Sequence, residues 1–168
     1  NAVPAARLSG GEMVTVVEAA QIWGWLEGVP DPELPAISVV DLGIVRAVEP
    51  CGEGWTVTVT PTYSGCPATA VIREGILAAL RQHGLGQVEV RTQIAPPWTT
   101  DWLSPKGREA LRQNGIAPPL VQLESPLTCP QCWSPDTERV SQFGSTPCKA
   151  LYRCRACLEP FDYFKPHA

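Results

Sequence analysis

The stretch TCPQCWSPDTERVSQFGSTPCKALYRCRACLEPFDYFK, residues 128–165, decides how the end of this chain folds. It holds two C-x-x-C pairs, Cys129 with Cys132 and Cys154 with Cys157, separated by twenty-one residues. Each pair aims two thiolates at one metal across a tight turn, and an interval of about twenty residues lets a hairpin bring the pairs together tetrahedrally. The expectation is a ribbon over residues 127–168 built round one structural zinc held by all four sulfurs. Two other uses of the thiols compete. Disulfides need an oxidising compartment, whereas the chain carries seven cysteines, an odd number, and no run resembling a secretory signal. An iron-sulfur cluster on the same four thiolates stays chemically open, because soft sulfur ligands accept iron as well as zinc.

Working outward, charge narrows the partners. The net charge is −4, with eight Lys/Arg against thirteen Asp/Glu in residues 1–128 and five against four in residues 129–168. A nucleic-acid surface needs a basic face with stacking aromatics, and the ribbon offers only Arg139, Lys149, Arg153, Arg155 and Lys165. No apolar run approaches the roughly twenty residues of a membrane helix. The reading is a cytoplasmic globular protein with neither nucleic acid nor membrane as partner.

Upstream, prolines and glycines punctuate the elements. Residues 1–12 carry no periodicity and read as a disordered N-terminus. In residues 14–26, Ala19, Ile22, Trp23 and Leu26 fall on one helical face, and the run stops at Gly28. SVVDLGIVRAVEP, residues 38–50, and WTVTVTPT, residues 55–62, read as two strands of a hairpin. A second helix follows, with Ile72, Gly75, Ile76 and Ala79 as its buried stripe and Gly84 as its stop. QVEVRTQI, residues 87–94, is a third strand with Val88, Val90 and Ile94 alternating, placed to return beside the first. The result is an α+β fold: a small α-β-β-α-β domain over residues 13–95, then the ribbon. Between them, residues 96–126 hold six prolines and one short helix, capped by Ser104 with Pro105 in its first turn and Gly115 after its end, and read as a linker.

The chemically suggestive position in the first domain is Cys66, in Thr60-Pro61-Thr62-Tyr63-Ser64-Gly65-Cys66-Pro67. Pro67 suits the first helical position and places Cys66 at the N-cap, where the helix dipole and unpaired amides favour thiolate. Gly65 permits a tight strand-to-helix turn. The competing reading is an inert core thiol. Cys51, in EPCGEGW, reads as a loop cysteine, and Cys148 as a spare thiol near the ribbon. Asp41, between Val40 and Leu42, needs a partner, which Arg46 or loop amides would supply. Phe161, Tyr163 and Phe164 are expected to pack the ribbon's core.

DPELPAISVVDLGIVRAV, residues 31–48, followed by VTVTPTYSGCPATAVI, residues 57–72, resembles the SufT-like family of iron-sulfur cluster assembly accessory proteins. The shared features are Asp31, Pro32 and Glu33, then Asp41, Leu42 and Gly43, then the T-P-T-x-x-G-C-P corner. Extended through PPWTTDWLSPKGREALRQNGIAPP and the ribbon, the chain is similar over almost its whole length to the PaaD family of the phenylacetyl-CoA epoxidase system. The resemblance implies an accessory factor of bacterial phenylacetate breakdown that assists cluster or iron insertion, with the other epoxidase subunits as partners, above all the [2Fe-2S] reductase. It implies that Cys66 holds or transfers iron or a transient iron-sulfur cluster. The remaining ligands would come from Asp31, Glu33, a small thiol, a second copy of this chain in a homodimer, or the client. The residues argue separately against the hydroxylase and the reductase: there is no pair of Glu-x-x-His motifs for a di-iron centre, the histidines are His83 and His167, and no G-x-G-x-x-G corner is present; an enzyme such as a thiol-dependent hydrolase ranks last, because no His is placed by sequence beside Cys66. The alternative is a docking subunit that binds its partners through the ribbon and carries no chemistry.

Overall fold

The computed structural model describes residues 17–120 and 126–166. The expected N-terminal disorder over residues 1–12 lies outside them. Helix α1, Ala19–Leu26, buries Ile22 and Leu26 completely, the face expected from its spacing. Strand β1, Val45–Cys51, pairs antiparallel with β2, Gly54–Val59, as a hairpin. Helix α2, Ala68–Gln82, then crosses over to β3, Val88–Thr92. The order is β1-β2-β3, with β3 parallel to β2.

Four expectations need correction here. The third strand lies beside the second and not beside the first, because a β-α-β crossover delivers parallel neighbours and the far edge of β1 stays open. Ile94 falls beyond β3 and is 68% exposed. Residues 40–43 form a turn ahead of β1, so Asp41, Leu42 and Gly43 are not on the strand. In α2 the buried stripe is Ala68, Ile72, Ile76 and Leu80, a strict four-residue row, with Gly75 and Ala79 at its margin.

Residues 96–120 are built into the first core instead of spanning a gap. Trp98, Leu103 and Leu111 are buried in the cluster that holds Ile22, Val57, Val59 and Ile76. A short 3₁₀ turn, Thr100–Trp102, leads into helix α3, Pro105–Gln113, whose cap is the expected one: Ser104 Oγ accepts from the Gly107 amide at 2.9 Å. The 40–43 turn is what this segment grips. Trp98 Nε1 donates to the Leu42 carbonyl at 3.0 Å, and the Ser104 amide to the Asp41 carbonyl at 2.8 Å. A Cβ on Gly43, whose φ is +74°, would stand 2.5 Å from the Trp102 carbonyl oxygen, so this close approach admits only glycine. Arg46 stacks on the Trp102 ring, 3.5 Å from its centroid, and leaves Asp41 to Ser38, Ser104 and Lys106. Its expected partner was Arg46 or the loop amides; the packing supplies instead the Ser38 hydroxyl of the same turn, the Ser104 hydroxyl at the start of α3 and the Lys106 ammonium.

The second sheet is four-stranded: β4, Ile116–Ala117; β5, Thr137–Ser141; β6, Lys149–Cys154; β7, Pro160–Phe164; in the order β4-β7-β6-β5. A strand from before the ribbon thus pairs in parallel with the ribbon's last strand. Phe161 and Tyr163 pack the ribbon's small core with Cys129 and Cys154, as expected. Phe164 alternates to the opposite face and is wholly buried in the first core, edge-on to Trp98 at 5.9 Å. The two sheets therefore share a core at Phe164.

Candidate metal-handling site

The four ribbon cysteines converge. Their sulfurs all lie within 4.8 Å of one another, with Cys129–Cys157 at 3.8 Å and Cys132–Cys154 at 3.5 Å. Tetrahedral ligation with metal–sulfur bonds of about 2.3 Å requires sulfur–sulfur edges of about 3.8 Å, so the donor set is close to what a four-thiolate metal needs. Both pairs sit on matching turns. The residue after each pair, Trp133 and Leu158, has a positive φ of 64° and 67°, which folds the chain back and turns amides toward sulfur. The Cys157 amide donates to Cys154 Sγ at 3.5 Å and is the leading cause that draws the Cys154 thiol down to about 7. Within the same set, against the pull of the Glu159 amide, burial and the neighbouring sulfurs push the Cys157 thiol up to about 12.

Three of the ribbon's five basic residues pair with its own carboxylates. Lys149, 4% exposed, pairs with Asp162 at 3.2 Å. Arg153 and Arg155 both close on Glu138. A phosphate-binding face would need these cations free.

At the other site, Gly65 takes a φ of +87°, which lets the chain turn from β2 into α2. Pro67 already has helical angles at the helix cap, so Cys66 stands one position further out than the N-cap expected for it. Its carbonyl accepts from the Thr69 amide at 3.2 Å and the Thr69 hydroxyl at 2.9 Å. The expected depression of its pKa is overturned. Burial pushes the Cys66 thiol up, against the pull of the Ala68 amide, and the carboxylates of Glu33 and Asp31 add to the rise. Burial and two negative neighbours together outweigh one helix amide.

Asp31 is 4% exposed, and its Oδ1 accepts from the Glu33 and Leu34 amides at 2.9 and 2.8 Å. It braces the turn it belongs to, and burial raises its pKa despite those amides. Glu33 is half-buried and makes no side-chain hydrogen bond or ion pair among the described residues. Both carboxylates line one small cavity with Cys66. The structure thus brings together Cys66, Asp31 and Glu33, which are thirty-odd residues apart in the chain.

What sequence reasoning did not find is the surroundings of Cys148, expected only as a spare thiol near the ribbon. It is 3% exposed, lies in the first core, and lines the same cavity as Cys66. Tyr63, in the corner ahead of Cys66, has a hydroxyl oxygen that is buried without a hydrogen-bond partner of good geometry. Burial and the adjacent Cys66 sulfur push that phenol up to about 12. No local pattern marks the place of Cys148, which it gains from the docking of the ribbon strands on the first sheet. Cys51 ends the β1 hairpin arm and is exposed, as expected of a loop thiol.

Among the described residues, no helix is long and apolar enough to cross a membrane. Residues 19–91 match the family described as iron-sulfur cluster assembly protein, and residues 118–165 match the PaaD zinc β-ribbon domain. A protein of Escherichia coli (strain K12) named as the D subunit of a 1,2-phenylacetyl-CoA epoxidase is 50% identical over 150 residues, covering 86% of this chain and 91% of that protein. The Fe-S protein maturation auxiliary factor YitW of Bacillus subtilis (strain 168) is 38% identical over 92 residues, 54% of this chain and 89% of its own length. SufT of Staphylococcus aureus (strain USA300), also named an Fe-S protein maturation auxiliary factor, is 38% identical over 85 residues, 49% of this chain and 96% of its own. A crystal structure of a domain of unknown function, DUF59, from Bacillus anthracis superposes with a TM-score of 0.51 at 29% identity, covering 55% of this chain and 89% of that one. With an assembly-type α+β unit, a four-cysteine ribbon and half-identity along nearly the full length of a relative, the chain belongs to the PaaD family of the phenylacetyl-CoA epoxidase system.

Proposed function

We propose that the protein is an accessory maturation factor of the phenylacetyl-CoA epoxidase system, working in the cytoplasm and assisting insertion of iron or an iron-sulfur cluster into its [2Fe-2S] reductase. The observation that carries this reading is the contrast in ligand sets. The ribbon has four thiols, a closed set suited to retaining one structural zinc. Cys66 lies half-buried at the β2–α2 corner with Asp31 and Glu33 about it, an incomplete set suited to giving its cargo up. The carboxylates that raise the thiol's pKa also attract a cation, and cation binding itself displaces the thiol proton. Thiolate character at rest is therefore not required of Cys66.

The test is the cluster content of the reductase in cells carrying Cys66→Ala or lacking the protein. Cluster loading is expected to fall severalfold in both; full loading in both removes the maturation role.

A second reading, docking without chemistry, draws on the ribbon surface. Trp133, Val140, Phe143 and Leu158 are all more than half exposed. Under that reading, substitutions on this face abolish capture by the epoxidase subunits, while Cys66→Ala leaves reductase loading unchanged.

A further inference from the structure

A larger cavity than the one at Cys66, sharing only Pro61 and Thr62 with it, opens beyond the carboxyl ends of β2 and β3. These strands are parallel neighbours joined through α2, and the crevice past the carboxyl ends of such strands is where open α/β sheets take ligands. Its volume is about 370 Å³. Small-molecule sites occupy about 300–1,000 Å³.

The lining combines hydroxyls with flat apolar walls. Thr60, Thr62, Tyr63 and Ser64 supply the hydroxyls, Trp98 and two prolines the walls, and no charged side chain lines it. Trp98 commits its N–H to the Leu42 carbonyl at 3.0 Å, which leaves its ring for packing. Among the described residues, the buried side-chain oxygens without a hydrogen-bond partner of good geometry are Thr60 Oγ1 and Tyr63 Oη. Both belong to this one cavity wall. Thr60 is 1% exposed and its amide donates to the Ile44 carbonyl at 2.8 Å, so its backbone is satisfied and its hydroxyl is not. A buried hydroxyl without a partner costs stability, and a wall built only for packing would carry Val and Phe at these positions.

We propose that this cavity binds a small uncharged ligand made of a planar ring and an amide or hydroxyl head. The ring packs against Trp98, Pro61 and Pro97, and the head pairs with the hydroxyls of Thr60 and Tyr63. A rotation about χ1 carries the Thr60 hydroxyl from the sealed wall to the occupant. An amide both donates and accepts, so it can serve two hydroxyls at once. A carboxylate or an ammonium would be desolvated there without a counter-ion. The site stands whether or not Cys66 carries iron.

The experiment titrates benzamide, benzoate and benzylamine, which share a ring and differ in charge, into the full zinc-loaded chain and follows amide chemical shifts. Benzamide is expected to move the signals of Thr60, Thr62, Tyr63, Ser64 and Ile94 and to saturate in the millimolar range. The two charged probes are expected to bind at least about tenfold more weakly. Thr60→Val keeps the shape and removes the orphan hydroxyl; it is expected to weaken benzamide at least about fivefold and to raise the thermal midpoint by about 2–4 °C. No shifts at this corner, or equal binding of the three probes, overturns the proposal. So does unchanged benzamide binding in Thr60→Val. A midpoint that stays or falls in that variant shows that the hydroxyl already has a structural partner, which overturns it as well.

Discussion

The two groups of thiols in this protein differ in how they are assembled. The ribbon's four come from two local turns of the same shape, each contributing a pair, and they meet through one antiparallel strand pairing between β5 and β6. The pocket at Cys66 is gathered from three distant places, residues 31–33, 66 and 148, which meet only when the whole core closes. The first arrangement saturates a metal and is stable by itself once loaded; the second depends on everything around it.

The largest effect should come from breaking the closed set. Cys154→Ser is expected to remove the metal and with it folding free energy on the order of 10 kcal/mol linked to metal binding. Because β7 carries Phe164 into the first core, loss of the ribbon should also lower the thermal midpoint of the remainder. Metal analysis with a calorimetric scan checks both; an unchanged midpoint for the remainder would show that the two regions are separate after all.

Phe164→Ala separates the shared core from the metal. The side chain is fully buried, so truncation should cost about 3–5 kcal/mol in urea unfolding, while zinc content stays at one per chain. A loss below about 1 kcal/mol would mean that the ribbon's docking contributes little to the first core.

Ser104→Ala probes the grip of the 98–113 segment on the turn before β1. It removes the α3 cap and the hydrogen bond of 2.7 Å to Asp41 Oδ1, and should cost about 1–2 kcal/mol. The Asp41→Asn partner change should be less than additive with it, since both act on one contact.

The smallest effect is a dependence on pH. Burial alone would raise the Asp41 pKa, but the hydroxyls of Ser104 and Ser38 and the Lys106 ammonium outweigh it and hold the carboxyl below its ordinary value. A depressed folded-state pKa means that this contribution is present above the unfolded value of about 4 and is lost as pH falls through the folded one. Asp41→Asn should flatten the acid limb of the stability curve; an unchanged limb would assign acid sensitivity to other groups.

Much was legible locally. The C-x-x-C spacing, the α1 face, the hairpin and the Ser104-Pro105 start of α3 are all set by interactions within a few residues, and they appear in the structure, with the first strand starting only at Val45 and the α2 stripe running through Ala68 and Leu80. The errors share one cause. Proline density in residues 96–126 looks like a spacer, yet Trp98, Leu103 and Leu111 are large apolar residues at irregular spacing that find a core only in three dimensions. Cys66 has the backbone of an activated thiol, yet burial, joined by carboxylates from thirty-odd residues upstream, reverses the direction of its shift. Phe164 and Cys148 sit inside the ribbon sequence but face the other core.

What the sequence determined by itself is the inventory of elements and the closed metal set, because turns, helix faces and chelating pairs are short-range and recur at fixed spacings. What only the tertiary structure decided is the company Cys66 keeps. Electrostatics and burial act through space, and a cavity takes its walls from whichever strands and turns the packing brings to it.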